Sequence, residues 1–351
     1  MLTKVALLTP YAAPIPGGIS SFISGLSKAL KNDGCEVSVL SGMGDGDSES
    51  NSNLGGGRRF VNRARRALAS SKPDVVHAHA HWYTLAAGVS YLKLNPKAQL
   101  VFSFHTTTVP FWHRWFSRLL TRANVVTCVS GGQLAELRSE LRMGGDLRIL
   151  RPATELTKAD QASQEKFVRE HSLEGHFPLL VFAGPLEYPL KVKGVIDLVL
   201  SLRTVRREYP TAKLLLVGDG SLRGRVASVA REFGSAVEIT GFLTEPRVPI
   251  SIADLYCHIS YQEGLPLSVL EAMSLGRCVV AFPAGGIPEV IDGANGFLVG
   301  SGPDAISNAI TRLARDSNAR IKAGVAARET AARWYTWEAR LPQLRSIYGL
   351  V

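Results

Sequence analysis

Glu263-Gly-Leu-Pro-Leu-Ser-Val-Leu-Glu271 sets two carboxylates eight positions apart, on either side of a glycine and a helix start. That spacing exceeds two helical turns. A helix beginning near Pro266 holds Glu271 inside it and leaves Glu263 just before the loop, at the open end of a strand predicted over Leu255 to Ser260. Both acids then border one cleft. A helix start offers free amides to phosphate oxygens and tolerates proline in its first turn. Carboxylates beside such a cradle serve hydroxyl groups, as on a ribose or a sugar.

Outward from this stretch, short β-rich runs alternate with helical ones. Strands are expected at Lys4 to Thr9, Glu36 to Leu40, Val75 to His77, Leu100 to Phe104 and Val125 to Val129, with a helix over Ser20 to Asn32. The rhythm repeats at Leu179 to Phe182, Leu214 to Val217, Val237 to Ile239, Leu255 to Ile259 and Cys278 to Phe282. This alternation predicts α/β architecture with mostly parallel sheets in two doubly wound domains. A first domain over 1–152, a polar linker over 153–176, a second domain over 177–330 and a terminal helical stretch over 331–351 are expected. The segment from Ser41 to Gly57, rich in glycine and serine, reads as a mobile loop. Its Asp45-Gly-Asp47 lacks the rigid scaffold a metal site requires.

A chain of 351 residues, 46% hydrophobic and 20% charged, is long enough for two cores. No apolar run approaches the roughly 20 residues that span a bilayer. The start, Met1 to Pro10, reads as a buried strand rather than a signal peptide, so a cytoplasmic protein is expected. Cys35, Cys128, Cys257 and Cys278 are widely spaced and suit reduced core thiols. The net charge of +10 divides into +7 over residues 1–165 and +3 over 166–351. A basic face attracts nucleic acid, anionic lipid or phosphorylated substrates alike. No nucleic-acid-binding motif accompanies it, so nucleic acid is not an expected partner.

The opening stretch, continued through Ala272-Met-Ser-Leu-Gly-Arg-Cys-Val-Val-Ala-Phe-Pro-Ala-Gly-Gly-Ile-Pro-Glu289 to Val299, resembles the signature of the family 4 retaining glycosyltransferases. The resemblance implies the GT-B fold, two Rossmann-like domains facing an interdomain cleft, and sugar transfer from a nucleoside-diphosphate sugar to a hydroxyl acceptor. That donor is a co-substrate, and neither a metal nor a further cofactor is required. A lipid-linked acceptor and a growing glycan are the alternatives, the former with peripheral contact to an anionic membrane at its inner face. Two rival functions stay open: a nucleotide-sugar epimerase of the same fold, and a catalytically silent sugar-nucleotide-binding protein.

Residue by residue, the resemblance assigns Glu271 to ribose hydroxyls, Glu263 to the donor sugar, and amides of the Gly264 to Ser268 loop, with Leu265 and Leu267, to the donor. Lys193, in Lys191-Val-Lys193-Gly194, matches the lysine that neutralises the donor diphosphate. Gly218, in Gly218-Asp-Gly220, and Gly241-Phe242-Leu243 match loops near the base and ribose. Gly17 and Gly18, in a strand-to-helix turn, match a glycine loop, and His105, in Phe-His-Thr, matches a histidine that contacts the donor sugar. His77-Ala-His79-Ala-His81 alternates as strand side chains do. An acceptor-side or structural role is favoured there over zinc, because no carboxylate or cysteine completes a ligand set. One departure stands out: where the family has Gly-Arg-Leu, this chain has Gly184-Pro185-Leu186, which removes a guanidinium and a backbone donor. Lys191 substituting for that arginine is the preferred account, ahead of looser diphosphate binding or altered activity.

Two amphipathic stretches bear on partners. Arg58 to Leu68 sets Phe60, Val61, Ala64, Ala67 and Leu68 on one helical face with five arginines around it, and Phe111 to Leu120 adds aromatic bulk. Each suits packing on the domain or attachment at anionic lipid.

Overall fold

The structure, a computed structural model, describes residues 2–48, 51–105, 113–140, 145–156 and 159–350. The chain forms two compact units, Met1–Ala153 with Trp337–Val351, and Thr154–Thr336. The first unit has strands β1 (Lys4–Tyr11), β2 (Glu36–Met43), β3 (Val75–His79), β4 (Gln99–Ser103), β5 (Val125–Cys128) and β6 (Asp146–Ile149) in one parallel sheet of order β2-β1-β3-β4-β5-β6. Helices α1 (Gly18–Asn32), α2 (Gly57–Ser71), α3 (Trp82–Leu92), α4 (His113–Leu120) and α5 (Gly131–Glu140) connect the strands. Both faces of such a sheet are covered, which is why β3 and β5 are buried along their whole length.

The second unit begins with α6 (Gln161–Glu170). It continues through β7 (Leu179–Ala183), α7 (Pro189–Glu208), β8 (Lys213–Val217), α8 (Arg223–Ala230), β9 (Val237–Gly241), α9 (Arg247–Ile252), β10 (Leu255–His258), α10 (Leu267–Ser274), β11 (Cys278–Ala281), β12 (Phe297–Leu298), α11 (Pro303–Arg315) and α12 (Ser317–Trp334). Its sheet runs β12-β11-β10-β7-β8-β9, again parallel. The last helix, α13 (Trp337–Tyr348), belongs to the first unit.

Several expectations change. The stretch 153–176 is no bare linker: it carries α6, capped by Asp160, which accepts from the Ser163 amide at 2.9 Å. Its charged composition hides apolar anchors, Phe167 on α6 and Leu173 just after it, both buried. Residues 157 and 158 lie outside the described residues. The terminal stretch 331–351 is two helices, broken at Tyr335 and Thr336, where the Thr154 amide donates to Tyr335 O at 2.7 Å. The glycine-rich loop is folded back on the sheet: Ser41 Oγ donates to Gly44 O at 2.7 Å, the Gly44 amide to Asn53 Oδ1 at 3.1 Å, and Leu54 is buried. Hydrogen bonds from small polar residues hold a segment that lacks apolar mass, and its Glu49 and Ser50 lie outside the described residues. Asp47 Oδ1 accepts from Asn51 Nδ2 at 2.5 Å. Strand β12 is only two residues long, too short for a period to show, and β6 alternates polar Asp146 and Arg148 with apolar Leu147 and Ile149.

The arginine-rich helix, α2, buries Phe60, Ala64 and Leu68 at one-turn spacing against the core. Its apolar face is therefore taken, and Arg58, Arg59, Arg63, Arg65 and Arg66 are exposed opposite it. In the aromatic stretch, Phe116 and Leu120 of α4 are likewise core residues, whereas Phe111 and Trp112 lie outside the described residues. All four cysteines are free thiols, three of them buried. Among the described residues, no helix is long and apolar enough to cross a membrane.

Candidate active site

In the second unit the strand order reverses between β7 and β10, and open α/β sheets bind ligands in the crevice at such a switch point. The loops leaving these two strands carry Lys191, in the first turn of α7, and Glu263, just before α10. Lys191 Nζ lies 2.8 Å from Glu263 Oε1, and the two residues are only 7% and 9% exposed. His258 Nε2, from the last residue of β10, stands 2.9 Å from the same oxygen. Burial alone would raise the Glu263 pKa, but the Lys191 charge and the His258 hydrogen bond outweigh it and hold the value at about 2. The carboxylate is ionised at neutral pH.

Tyr256 lies two residues before His258 on the same face of β10. Its Oη is 3.2 Å from His258 Nδ1 and 3.3 Å from Ala183 O. Tyr256 and His258 are fully buried. Sequence reasoning passed over both as filling of an apolar strand. The available signal was two polar-tipped residues at i and i+2 on an otherwise apolar strand, the second five residues before Glu263.

Pro266 caps α10 with φ −71°, and the first turn bond runs from the Val269 amide to Pro266 O at 3.2 Å. The amides of Leu267 and Ser268 precede that bond and are the helix's orphan donors. Leu265 is buried beneath them, while Leu267, Ser268 and Glu271 are half-buried. Burial pushes the Glu271 carboxyl up, Arg247 opposes that, and Glu245 adds to it. The Gly264 carbonyl is fixed by the Gly286 amide at 2.6 Å. Gly285, with φ +55°, approaches so closely that a Cβ would collide with the Glu263 and Gly264 carbonyls.

Lys193 stands apart from this cluster: it is exposed, its Nζ 5.6 Å from the centre of the Tyr261 ring. Gly218 and Gly220 are required by packing. A Cβ on Gly218 would strike Gly184 O, and one on Gly220 would strike Leu186. The Gly184 amide donates to Val217 O at 2.9 Å and that of Leu186 to Asp219 O at 2.8 Å, so the Gly184-Pro185-Leu186 loop rests on the β8 turn. Gly218 also donates to Gly241 O at 2.9 Å, and Phe242 beyond it is 50% exposed.

In the first unit the switch point lies between β1 and β3. Gly17 and Gly18 leave β1 there and open α1, with Gly17 at φ +142° and empty space where either Cβ would be. His79 and His105 follow on the neighbouring strands. His79 Nδ1 is 3.1 Å from His105 Nε2, His77 Nε2 is 2.6 Å from Ser103 Oγ, and His77 Nδ1 is 2.8 Å from Tyr348 Oη. Burial depresses all three imidazoles, His77 to about 3 and His105 to about 4, so they are neutral. His81 has left the strand and stacks on Tyr83. Among the described residues no group of three or more candidate ligands could hold a metal, and Thr106 to Thr108, beside His105, lie outside them.

Two family models match the chain: Glycosyltransferase Family 4 over residues 16–157 and Glycosyl transferases group 1 over 177–316. A phosphatidyl-myo-inositol mannosyltransferase of Mycobacterium tuberculosis is 26% identical over 99% of this chain and 97% of its own. The sulfoquinovosyl transferase of Arabidopsis thaliana is 27% identical over 80% of this chain, which spans 57% of that relative's length. Among solved structures, the sucrose-phosphate synthase of Thermosynechococcus elongatus superposes with a TM-score of 0.81 at 21% identity over 99% of this chain and 98% of that one. Anabaena HepE in complex with UDP does so at 0.76 and 20%, over 98% and 99%. The fold is GT-B, and the chain belongs to the family 4, group 1 glycosyltransferases.

Proposed function

We propose that this enzyme moves a sugar from a nucleoside-diphosphate sugar to a hydroxyl acceptor with retention of anomeric configuration, the donor held by the second unit and the acceptor side assigned to the first. The observation that carries the donor assignment is the ion pair of Lys191 with Glu263 at the switch point, beside the free amides that open α10. Glu263 takes a sugar hydroxyl, Glu271 the ribose hydroxyls, and the α10 amides the phosphate oxygens. When the bond from the anomeric carbon to the phosphate oxygen breaks, the leaving diphosphate gains charge. Lys191, with Lys193 on the next part of the helix, stabilises that charge, and the leaving phosphate takes the acceptor proton. No metal is needed for this scheme. His105, Gly17 and Gly18 are assigned to the surroundings of the donor sugar.

The acceptor is proposed to be lipid-linked, as the names of the mannosyltransferase and sulfoquinovosyl relatives suggest. Five exposed arginines on α2 provide the contact with anionic headgroups, at the cytoplasmic face of a membrane. Since the apolar face of α2 is buried, this contact is electrostatic and does not insert. The relatives reported above are transferases, and no observation favours an epimerase.

The test is release of nucleoside diphosphate from uridine-, guanosine- and adenosine-diphosphate sugars, with and without a membrane-lipid extract. Release only with lipid supports a lipid-directed transferase and names its donor. Binding of donors with no consumption on lipid or on soluble sugar acceptors leaves the silent-binder account, traced to Pro185.

A further inference from the structure

The loop that rests on Gly218 carries Pro185 where the family resemblance expects an arginine, and the buried cation beside it comes from α7. An ideal Cβ on Gly184 would stand 4.0 Å from Lys191 Nζ, so the ammonium hangs directly over the altered loop. A lysine is flexible where an arginine fork is rigid. Something must hold it, and Glu263 Oε1 does so at 2.8 Å. That carboxylate is itself on a loop, and its other protein partner is His258, which uses the same oxygen at 2.9 Å.

We propose that Tyr256 and His258 are positioning residues: together they fix Glu263, and through it aim the Lys191 ammonium at the donor diphosphate in place of the missing arginine. An ionised carboxylate only accepts hydrogen bonds, so His258 carries its hydrogen on Nε2. Tyr256 Oη, placed 3.2 Å from Nδ1 and 3.3 Å from Ala183 O, sets the ring plane from the other side. The contacts of Glu263 with Lys191 and His258 both fall on Oε1, which leaves Oε2 free of them for a donor hydroxyl. Lys191 spends one N–H on Oε1 and keeps two for phosphate oxygens. The unit thus runs from β10 through the Glu263 loop to α7, across the switch point. It rests on the donor assignment made above.

Three variants and one spectroscopic reading test it. In His258→Leu the ring volume is partly kept and the Nε2 donor is lost. In His258→Gln the side-chain amide returns a donor to Glu263. Affinity for UDP, GDP and ADP is measured by calorimetry alongside donor KM and kcat, and long-range 1H–15N spectra locate the His258 hydrogen. The expected result is hydrogen on Nε2, a Kd for the preferred nucleoside diphosphate raised about tenfold in His258→Leu, the scale of one hydrogen bond to a charged group, and recovery in His258→Gln. Adding Pro185→Arg to His258→Leu should restore part of the affinity, because the guanidinium removes the need for an aimed lysine. Equal losses in the Leu and Gln variants, no hydrogen on Nε2, or no recovery from Pro185→Arg would overturn the positioning role while donor turnover stands. A protein that binds no nucleoside diphosphate at all would overturn the donor assignment and this role with it.

Discussion

His79 Nδ1 faces His105 Nε2 at 3.1 Å, and the other nitrogen of His79, Nε2, is buried with no hydrogen-bond partner among the described residues. Only one tautomer avoids an orphaned N–H at that place: hydrogen on His79 Nδ1, donated to His105 Nε2. The hydrogen of His105 is then on Nδ1, and the ring meets a ligand as a donor rather than as a base. His79→Asn keeps a donor near the Nδ1 position and His79→Leu removes it. The expected outcome is Nδ1–H on His105 in the wild type and in His79→Asn by 1H–15N spectra. In His79→Leu that tautomer is lost and kcat falls about tenfold, the scale of one hydrogen bond.

The same imidazoles make the first unit acid-sensitive. Their folded pKa values are depressed, His77 to about 3 with His79 also well below its usual 6.5, so their stabilising contribution is complete above pH 6.5. It is lost as pH falls from there, because the unfolded chain takes up protons that the folded chain refuses. Two fully buried histidines give a slope of about 3 kcal/mol per pH unit below pH 6. Glu263, depressed to about 2, follows the carboxylate rule and loses its contribution only below about pH 4.5. Calorimetry from pH 7 to pH 4 should therefore show the first unit's transition moving down while the second unit's stays in place.

Most of the fold was legible because parallel strands buried on both faces are apolar runs, as in Leu179 to Ala183, and glycines mark the turns that follow them. The strand at Asp146 to Ile149 shows in sequence only by its end, at Arg151-Pro152, because it is only half-buried along its length. Within the site, the expectation for Glu263, Glu271 and the α10 amides comes from the resemblance to the family signature, since two carboxylates eight positions apart are by themselves a weak signal. Which of Lys191 and Lys193 meets Glu263 was not legible, since the two lysines are two positions apart on one helix and only the packing of that helix decides it. Tyr256 and His258 stayed hidden for a related reason: a strand shows which residues share a face, but not that Glu263, from a loop, returns to that face.

The two lysines should separate in experiment. Lys191→Met leaves Glu263 buried with His258 as its one remaining side-chain hydrogen-bond partner among the described residues, and breaking a buried pair costs roughly 3–5 kcal/mol. With the cation gone, burial drives the Glu263 pKa upward and the carboxylate takes up a proton closer to neutral pH. Lys193→Met removes an exposed ammonium near Tyr261 and should cost less than about 1 kcal/mol. Thermal unfolding of both variants, with donor KM measured beside it, is expected to show a stability loss confined to Lys191→Met and a raised KM in both.

Two glycines distinguish packing from ligand approach. Gly218 has φ +153° and its absent Cβ would strike Gly184 O, so Gly218→Ala strains the backbone and displaces the Gly184-Pro185 loop, at a cost of about 1–3 kcal/mol. Its effect on catalysis is then secondary to lost stability, and its melting temperature should fall first. Gly18 opens α1 with a helical backbone and nothing within 4 Å of the Cβ position. Alanine fits there without strain, and the melting temperature of Gly18→Ala should match that of the wild type. If a donor approaches the α1 amides closely, the added methyl occupies its space and kcat/KM drops by about tenfold or more, as expected for a ligand oxygen held off a helix terminus. An unchanged kcat/KM in a fully stable Gly18→Ala would remove the glycine loop from the donor site and leave the second unit to hold the donor alone.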